Sequence, residues 1–291
     1  KAFARHRHIA PLFSLDKAVT EDELSAFVTR VQKIDPAAVF TVEYKFDGLT
    51  MCLTYEEGRF VRATTRGNGT EGEDVTAQAL TVRSFPLAIP YRGTLEVRGE
   101  AVIRLPVLEE YNRTHPDEPL KNARNAAAGA IRNLDPKVTA SRRPEIIFYD
   151  INYMSDAPVS SQQEAVSRLR EWGFQTFPYF RVCGSFDEVR AAVDEIEVGR
   201  KSLDVLTDGA VIKTDSEATR RLMGYTDKFP RWAIAYKFEA EEAEATVERV
   251  IWQVGRTGKL TPLAFITPVE LAGATVRRAT LNNFGDLTRK D

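Results

Sequence analysis

The residues best suited to chemistry stand in one row, Glu43, Lys45 and Asp47, inside Glu43-Tyr44-Lys45-Phe46-Asp47-Gly48. Apolar and polar residues alternate from Val39 to Tyr55, which predicts a β-strand with two unlike faces. Phe40, Val42, Tyr44 and Phe46 share one face, and Thr41, Glu43, Lys45 and Asp47 share the other. Successive members of the polar row then lie roughly 6.5 Å apart. An amine between two carboxylates becomes a nucleophile once nearby cations or desolvation favour its neutral form. The plainer reading is a solvated charge ladder on a surface strand. Leu49, Met51 and Leu53 predict instead that the strand runs on through a core, with Gly48 where a ligand or another backbone comes close.

Further residues of the same kind follow. In Asp208-Gly209-Ala210-Val211-Ile212-Lys213, alternation puts Gly209, Val211 and Lys213 on one face. In Trp232-Ala233-Ile234-Ala235-Tyr236-Lys237-Phe238, Lys237 shares its face with Ala233 and Ala235. Small residues beside a strand lysine leave room for a ligand above the sheet. A single such lysine usually snorkels, but three on core-like strands point to a site. Val97-Arg98-Gly99-Glu100 sets a glycine beside an acid on a buried strand. Arg66-Gly67-Asn68-Gly69-Thr70-Glu71-Gly72-Glu73-Asp74 is either a flexible loop or one whose N–H groups and arginine meet a phosphate. Arg124, Ala128 and Arg132 form one stripe of a helix spanning residues 121–133, and the planar fork of arginine suits phosphate; a solvated face explains the spacing equally well.

The elements that must hold these residues are legible from caps and periodicity. Thr20 and Glu23, Ser161 and Glu164, and Ser185 and Glu188 are capping boxes opening helices 21–34, 161–172 and 186–198. Residues 105–114 form another helix, and Ile146–Tyr153 a core strand. Residues 1–19 read as irregular, with His6 and His8 exposed. Glu239–Glu244 reads as an acidic linker. Beyond it, Val247–Val254, Leu260–Ile266 and Ala274–Thr280 are spaced like the strands of a small β-barrel.

Composition is that of an ordinary folded chain: 291 residues, 43% hydrophobic, 28% charged, net charge −2. No global positive field advertises nucleic acid, so such contact must come from local clusters. Two cysteines, Cys52 and Cys183, and three histidines give neither a disulfide framework nor a zinc spacing. That cysteine usage predicts an intracellular protein, and no apolar run reaches membrane-spanning length, which predicts no membrane partner. The start at Lys1 predicts a fragment of a longer protein.

With these pieces in order, the chain resembles the nucleotidyltransferase core of the NAD-dependent bacterial DNA ligases. Lys45-Phe46-Asp47-Gly48 matches the family's nucleophile motif, Lys-x-Asp-Gly. Val97-Arg98-Gly99-Glu100 matches the next, and Ile147-Phe148-Tyr149-Asp150 stands where the family carries its base-stacking aromatic. The segments ending in Lys213 and Lys237 match the two lysine motifs that close the site. Ala123-Arg124-Asn125-Ala126-Ala127-Ala128-Gly129, Thr65-Arg66-Gly67-Asn68-Gly69 and Gln253-Val254-Gly255-Arg256-Thr257-Gly258 point to the NAD-dependent branch. Phe46 replaces a common isoleucine and Asn283 a usual histidine.

The resemblance implies an α+β fold: an ATP-grasp-like nucleotidyltransferase domain of antiparallel sheets flanked by helices, residues 1–240. An incomplete barrel of the oligonucleotide-binding (OB) type then occupies residues 241–291. It implies that Lys45 attacks the α-phosphorus of NAD and carries AMP to the 5′-phosphate of nicked double-stranded DNA. Lys213 and Lys237 would favour the neutral amine and stabilise phosphate charge, and Asp47 would orient the nucleophile. Glu43 reads adenine, Glu100 holds the ribose, Tyr149 stacks on the base, and Arg66 meets ribose or phosphate. Ser14, Leu15, Asp208 and Val211 complete the NAD contacts; Arg124, Arg132 and Arg256 suit DNA phosphate or the leaving group. Mg²⁺ is expected near Asp47, Glu100 and Asp208. The implied setting is replication and repair by a monomer in the bacterial cytoplasm, associated with the nucleoid. The family's leading domain for the nicotinamide mononucleotide half of NAD, its four-cysteine zinc module, its helix-hairpin-helix region and its BRCT domain have no counterpart in the sequence. Zinc is therefore not expected in this chain, and reaction with NAD is expected to be poor.

Two other readings share some of these residues. An ATP-dependent ligase or capping-type enzyme has the lysine motifs but uses ATP or GTP. A non-catalytic nucleic-acid-binding domain needs no nucleotide pocket.

Overall fold

The run from Val39 to Tyr55 is not one strand. In the computed structural model, which describes residues 2–238, 244–271 and 274–281, it breaks at Asp47 and Gly48 into two strands of different sheets. The sequence carries the signal for the break. Even-numbered residues Phe40 to Phe46 face the core before it, and odd-numbered Met51, Leu53 and Tyr55 after it. A one-residue change of phase turns every side chain to the other face, so a single flat strand cannot bury both sets.

The chain divides into two compact units, Lys1–Phe238 and Glu239–Asp291. The first opens with β1 (Arg5–Arg7), β2 (Asp16–Ala18), α1 (Glu21–Ile34), β3 (Phe40–Phe46), β4 (Leu49–Glu56), β5 (Arg59–Thr65), β6 (Glu71–Glu73) and α2 (Thr76–Ala79). It goes on through β7 (Leu95–Val102), α3 (Leu105–Thr114), α4 (Ala123–Ile131), α5 (Pro136–Arg142), β8 (Glu145–Met154) and α6 (Gln162–Glu171). It ends with β9 (Arg181–Cys183), α7 (Phe186–Gly199), β10 (Thr207–Thr214), α8 (Glu217–Met223) and β11 (Ala233–Tyr236). One sheet runs β2-β11-β10-β3-β9 and a second β5-β4-β7-β8, while β1 pairs with β6. All pairs are antiparallel except β11 with β2.

The capping boxes start their helices as expected. Thr20, Ser161 and Ser185 each accept from the backbone N–H three residues on. Glu164 and Glu188 reach back to the N–H groups of Ser160 and Gly184. α1 buries Leu24, Phe27, Val28 and Val31 in one core with Phe40, Val42, Ala210 and Ile212. Each large side chain so buried contributes about 2 kcal/mol. Met51, Leu53, Tyr55, Val97 and Phe148 build a second core behind the other sheet.

Two expectations need correction. Residues 1–19 include β1 and β2, and neither His6 nor His8 is a free loop residue. His6 stands 3.0 Å from Asp74, and His8 Nε2 lies 2.8 Å from the carbonyl of Arg66. The α4 helix covers 123–131 rather than 121–133, because Asn122 caps it. The glycine loop is ordered by the same pairing: Asn68 Oδ1 accepts from Thr70 and Glu71, and Gly67 takes φ 58°.

Gly48 is the hinge between the sheets. A Cβ there would lie 2.1 Å from the carbonyl oxygen of Ala101 and 3.2 Å from Cγ of Glu100. Backbone on β7 cannot retreat as a side-chain tip can. Gly48→Ala should therefore lower stability by about 2–3 kcal/mol, read as a shift of the urea midpoint at unchanged slope; an unshifted midpoint would refute the close approach.

The second unit contains β12 (Val247–Val254), β13 (Leu260–Leu271) and β14 (Ala274–Thr280), an antiparallel sheet in that order. Leu263 and Ala264 are buried in it, and Arg249 and Arg278 lie over the ring of Phe265. Among the described residues these three strands form an open sheet and no closed barrel. Asn283 and all of the acidic stretch but Glu244 fall outside the described residues. Among the described residues, no helix is long and apolar enough to cross a membrane.

Candidate active site

The two sheets of the first unit meet at Asp47-Gly48, and a cavity of about 870 Å³ opens where they part. β3, β10 and β11 supply one wall. Their register sets Lys45 beside Gly209, Glu43 beside Val211, and Val211 beside Ala235, so small residues keep the floor low around the lysines. β4, β5, β7 and β8 supply the other wall with Thr50, Thr65, Glu100 and Tyr149.

Asp208 does not follow simple alternation, which places it with Ala210 and Ile212 in the core. The β10–β3 register slips between Thr207 and Gly209. Such a bulge re-aims one side chain, and Asp208 lines the cavity. Its carboxylate accepts two hydrogen bonds of 3.2 Å from Lys45 Nζ and one of 3.2 Å from Lys237 Nζ. One anion thus holds two ammonium groups that would otherwise repel.

The third lysine has its own anions. Lys213 Nζ is 2.7 Å from Glu43 Oε1 and 3.4 Å from Asp150 Oδ2, and its side chain is only 5% exposed. Burial holds the Glu43 carboxyl above its usual range, with Lys213 pulling against it. Burial also works to raise Asp150, but Lys213, Arg220 and Arg98 outweigh it and leave Asp150 below the usual range. The Tyr149 ring lies between cations, with Lys213 Nζ 5.2 Å and Arg98 5.8 Å from its centroid.

Glu100 has one buried carboxylate oxygen, Oε1, without a hydrogen-bond partner. Burial pushes its carboxyl up to about 7, against the Thr50 hydroxyl, Arg98, Lys45 and the Gly48 N–H. The folded state therefore binds this proton more tightly than the unfolded chain. Its contribution to stability is complete below the ordinary value of 4.5 and lost as pH rises through about 7. Glu100→Gln removes this dependence. Between pH 5 and pH 8 the melting temperature of wild type should fall relative to the variant; parallel curves would contradict the shift.

Arginines and acids pair at the rim. Arg124 Nε lies 3.3 Å from Asp47 Oδ1 and Arg132 Nη2 2.9 Å from Glu73 Oε1. Arg66 Nη1 donates to Ser14 Oγ at 3.2 Å. Burial raises the Asp47 carboxyl, and the negative charge of Asp208 adds to the effect.

Fourteen expected residues thus line one cavity: Ser14, Leu15, Glu43, Lys45, Asp47, Arg66, Glu100, Arg124, Arg132, Tyr149, Asp208, Val211, Lys213 and Lys237. Arg256 belongs to the second unit, exposed in the turn between β12 and β13. Sequence reasoning missed Asp150, Arg98 and Glu73 as partners inside the site. An acid closing the apolar run Ile146–Tyr149 was the signal for Asp150; Glu73 gave none beyond its place in the glycine loop. Asp47, Glu100 and Asp208 do not converge as a three-ligand group among the described residues, where His8, Cys52 and Glu96 do. Magnesium, which keeps several waters and takes one or two carboxylates beside substrate phosphates, does not require such a group.

The comparisons decide the family. Residues 1–241 match the NAD-dependent DNA ligase adenylation domain and residues 244–291 the NAD-dependent DNA ligase OB-fold domain. The chain belongs to the NAD-dependent DNA ligase family. A DNA ligase of Alkaliphilus metalliredigens is 49% identical over 293 residues, which cover 100% of this chain and 44% of that protein. One of Finegoldia magna is 49% identical over 300 residues, covering 99% of the chain and 45% of the relative. The chain therefore spans about half the length of the curated ligases it matches. A solved structure, mycobacterial DNA ligase D complexed with ATP and MES, aligns at TM-score 0.40 and 15% identity over 87% of this chain and 70% of that one; so distant a likeness carries no weight for the site of this ligase-family chain.

Proposed function

We propose that the cavity is the adenylation site of an NAD-dependent DNA ligase, with residues 1–240 as its nucleotidyltransferase domain and 241–291 as the OB part. The observation that carries the reading is the clasp of Lys45 and Lys237 on Asp208 opposite Tyr149 and Glu100, in a cavity large enough for a nucleotide.

In this reading NAD is the substrate. Asp208 holds Lys45 in place until its ammonium gives up a proton to solvent. The free electron pair of Nζ then forms a bond to the α-phosphorus. The bridging P–O bond breaks, and nicotinamide mononucleotide leaves with its electrons. Lys213 and Lys237 offset the charge that builds on the phosphate oxygens. AMP passes from Lys45 to the 5′-phosphate at a nick in double-stranded DNA, and the 3′-hydroxyl displaces it to seal the strand.

The binding roles follow from chemistry. The unpaired Oε1 of Glu100 is an acceptor suited to a ribose hydroxyl. Tyr149 offers a flat face to the adenine, Glu43 an acceptor for its edge, and Val211 an apolar floor. Ser14, Leu15 and Arg66 suit the ribose–phosphate side. Asp47 orients Lys45, and Arg124, Arg132 and Arg256 suit DNA phosphates or the leaving group. Magnesium, a hard cation that often binds through substrate phosphates, enters only with the nucleotide. A monomer working in the cytoplasm at the nucleoid, in replication and repair, completes the proposal.

Ligand-observed NMR with AMP, NAD, nicotinamide mononucleotide and ATP tests the pocket. AMP and NAD should bind wild type and fail to bind Glu100→Ala/Lys237→Ala, whereas nicotinamide mononucleotide alone should not bind. If neither AMP nor NAD binds wild type, the assignment fails; if ATP reacts and NAD does not bind, an ATP-dependent enzyme replaces it.

A further inference from the structure

We propose that His8, Cys52 and Glu96 form a site for a divalent cation of zinc's class, behind the wall of the adenylation cavity. Their ligand atoms all lie within 4.8 Å of one another and are buried. None of the three lines the cavity. The site departs from the expectation that zinc in this family belongs only to a four-cysteine module. It does not depend on the ligase reading.

The donors are an imidazole nitrogen, a thiol sulfur and a carboxylate oxygen, the three kinds zinc takes, at about 2.0–2.3 Å. Cys52 on β4 and Glu96 on β7 belong to neighbouring strands, with Sγ 3.9 Å from Oε1. His8 follows β1 and closes the group from above. A modest contraction brings all three within bonding range of one ion.

Each donor is already oriented as a metal ligand requires. His8 Nε2 lies 2.8 Å from the Arg66 carbonyl. That bond puts the ring proton on Nε2 and makes Nδ1 the acceptor, which takes a long 3.5 Å hydrogen bond from the Thr64 hydroxyl that an ion would displace. Glu96 accepts from Asn152 Nδ2 at 2.7 Å through Oε1 and from the Ile9 N–H at 3.0 Å through Oε2. Hydrogen bonds on a ligand's other atom, here from His8 Nε2 to a carbonyl and from the Ile9 N–H to Glu96 Oε2, are the outer shell that metal sites use to fix first ligands; Asn152 bonds Oε1, the oxygen that faces Cys52. Binding releases the thiol proton to solvent. The doubly positive ion then meets a thiolate and a carboxylate, so the buried site is neutral overall, which removes the main cost of burying the ion.

The arrangement has a consequence for the cavity. Arg66 and Asn152, which hold His8 and Glu96, both line it. A bound ion would fasten the segment around His8 to the second sheet and fix the backbone that carries Arg66. The three ligands sit 44 residues apart in each step along the sequence, so no local metal-binding spacing announces them.

Cobalt(II) is the probe. Chelator-treated protein given one equivalent of Co²⁺ should develop the near-ultraviolet thiolate-to-cobalt absorption at a stoichiometry of one. Zn²⁺ should abolish it and raise the melting temperature. Cys52→Ser should lose the band and weaken Zn²⁺ binding by more than about 100-fold. Cys183→Ser, which removes the only other cysteine, should keep both, so a folded control exists if Cys52→Ser does not fold. His8→Gln should weaken Zn²⁺ binding and leave the band reduced or shifted. The proposal is overturned if wild type shows no thiolate band and no change of melting temperature with Zn²⁺, or if Cys52→Ser binds the metals as wild type does; the three residues are then a metal-free hydrogen-bonded staple.

Discussion

Lys45→Ala should reduce formation of lysyl-AMP by at least about 10⁴-fold while leaving AMP binding within a few-fold of wild type. The separation follows from geometry. Among the described residues, the groups suited to hold adenine and ribose, Glu43, Glu100 and Tyr149, make no hydrogen bond to Lys45, whose ammonium donates to Asp208 and reaches Glu100 only through its charge. Removing the amine takes away the nucleophile and leaves the walls. Asp208 then keeps Lys237 as its partner at 3.2 Å, so the carboxylate is not stranded and the fold should tolerate the change. Quantitative mass spectrometry after incubation with NAD, paired with AMP titration, reads both quantities. Parallel loss of binding and transfer would mean that Lys45 is a structural cation.

The second large effect concerns Lys213, where stability and activity should fall together. Lys213→Met leaves Glu43 in a buried setting without its cation and beside the negative charge of Asp150, which keeps Arg98 and Arg220. Stranding buried charge in this way costs about 3–5 kcal/mol. Because both carboxylates can relieve the repulsion by taking up protons, the loss should be smaller at pH 5 than at pH 8. Adding Glu43→Gln should restore part of the stability and none of the adenylation, a coupling that a double-mutant cycle measures. Equal, additive losses at both pH values would contradict the shared ion pair.

How far the sequence disclosed this site depended on whether the signal was local. The alternation that set Glu43 and Lys45 opposite Tyr44 and Phe46 is a property of one strand, and it held because Tyr44 and Phe46 had a core to enter. The helix caps were legible for the same reason: Thr20, Ser161 and Ser185 act within three residues of themselves. Asp208 was assignable from the family motif but not from periodicity, since the bulge that re-aims it exists only in the pairing of β10 with β3. The change of alternation phase at Gly48 was in the sequence, but apolar residues on both sides made two strands look like one. The cluster of His8, Cys52 and Glu96 depends on contacts between distant strands, and nothing in its neighbours' identities foretells it; for Asp150 only its place at the end of an apolar run did.

The most direct test of the account maps where AMP attaches. Protein of the full length that the curated relatives have, incubated with NAD, is digested and its peptides sequenced by mass spectrometry. The account predicts a single adenylate, joined through nitrogen to Lys45 and absent from Lys45→Ala. Adenylate on Lys213, Lys237 or any other residue, or no adenylate on folded protein that binds NAD, would contradict it.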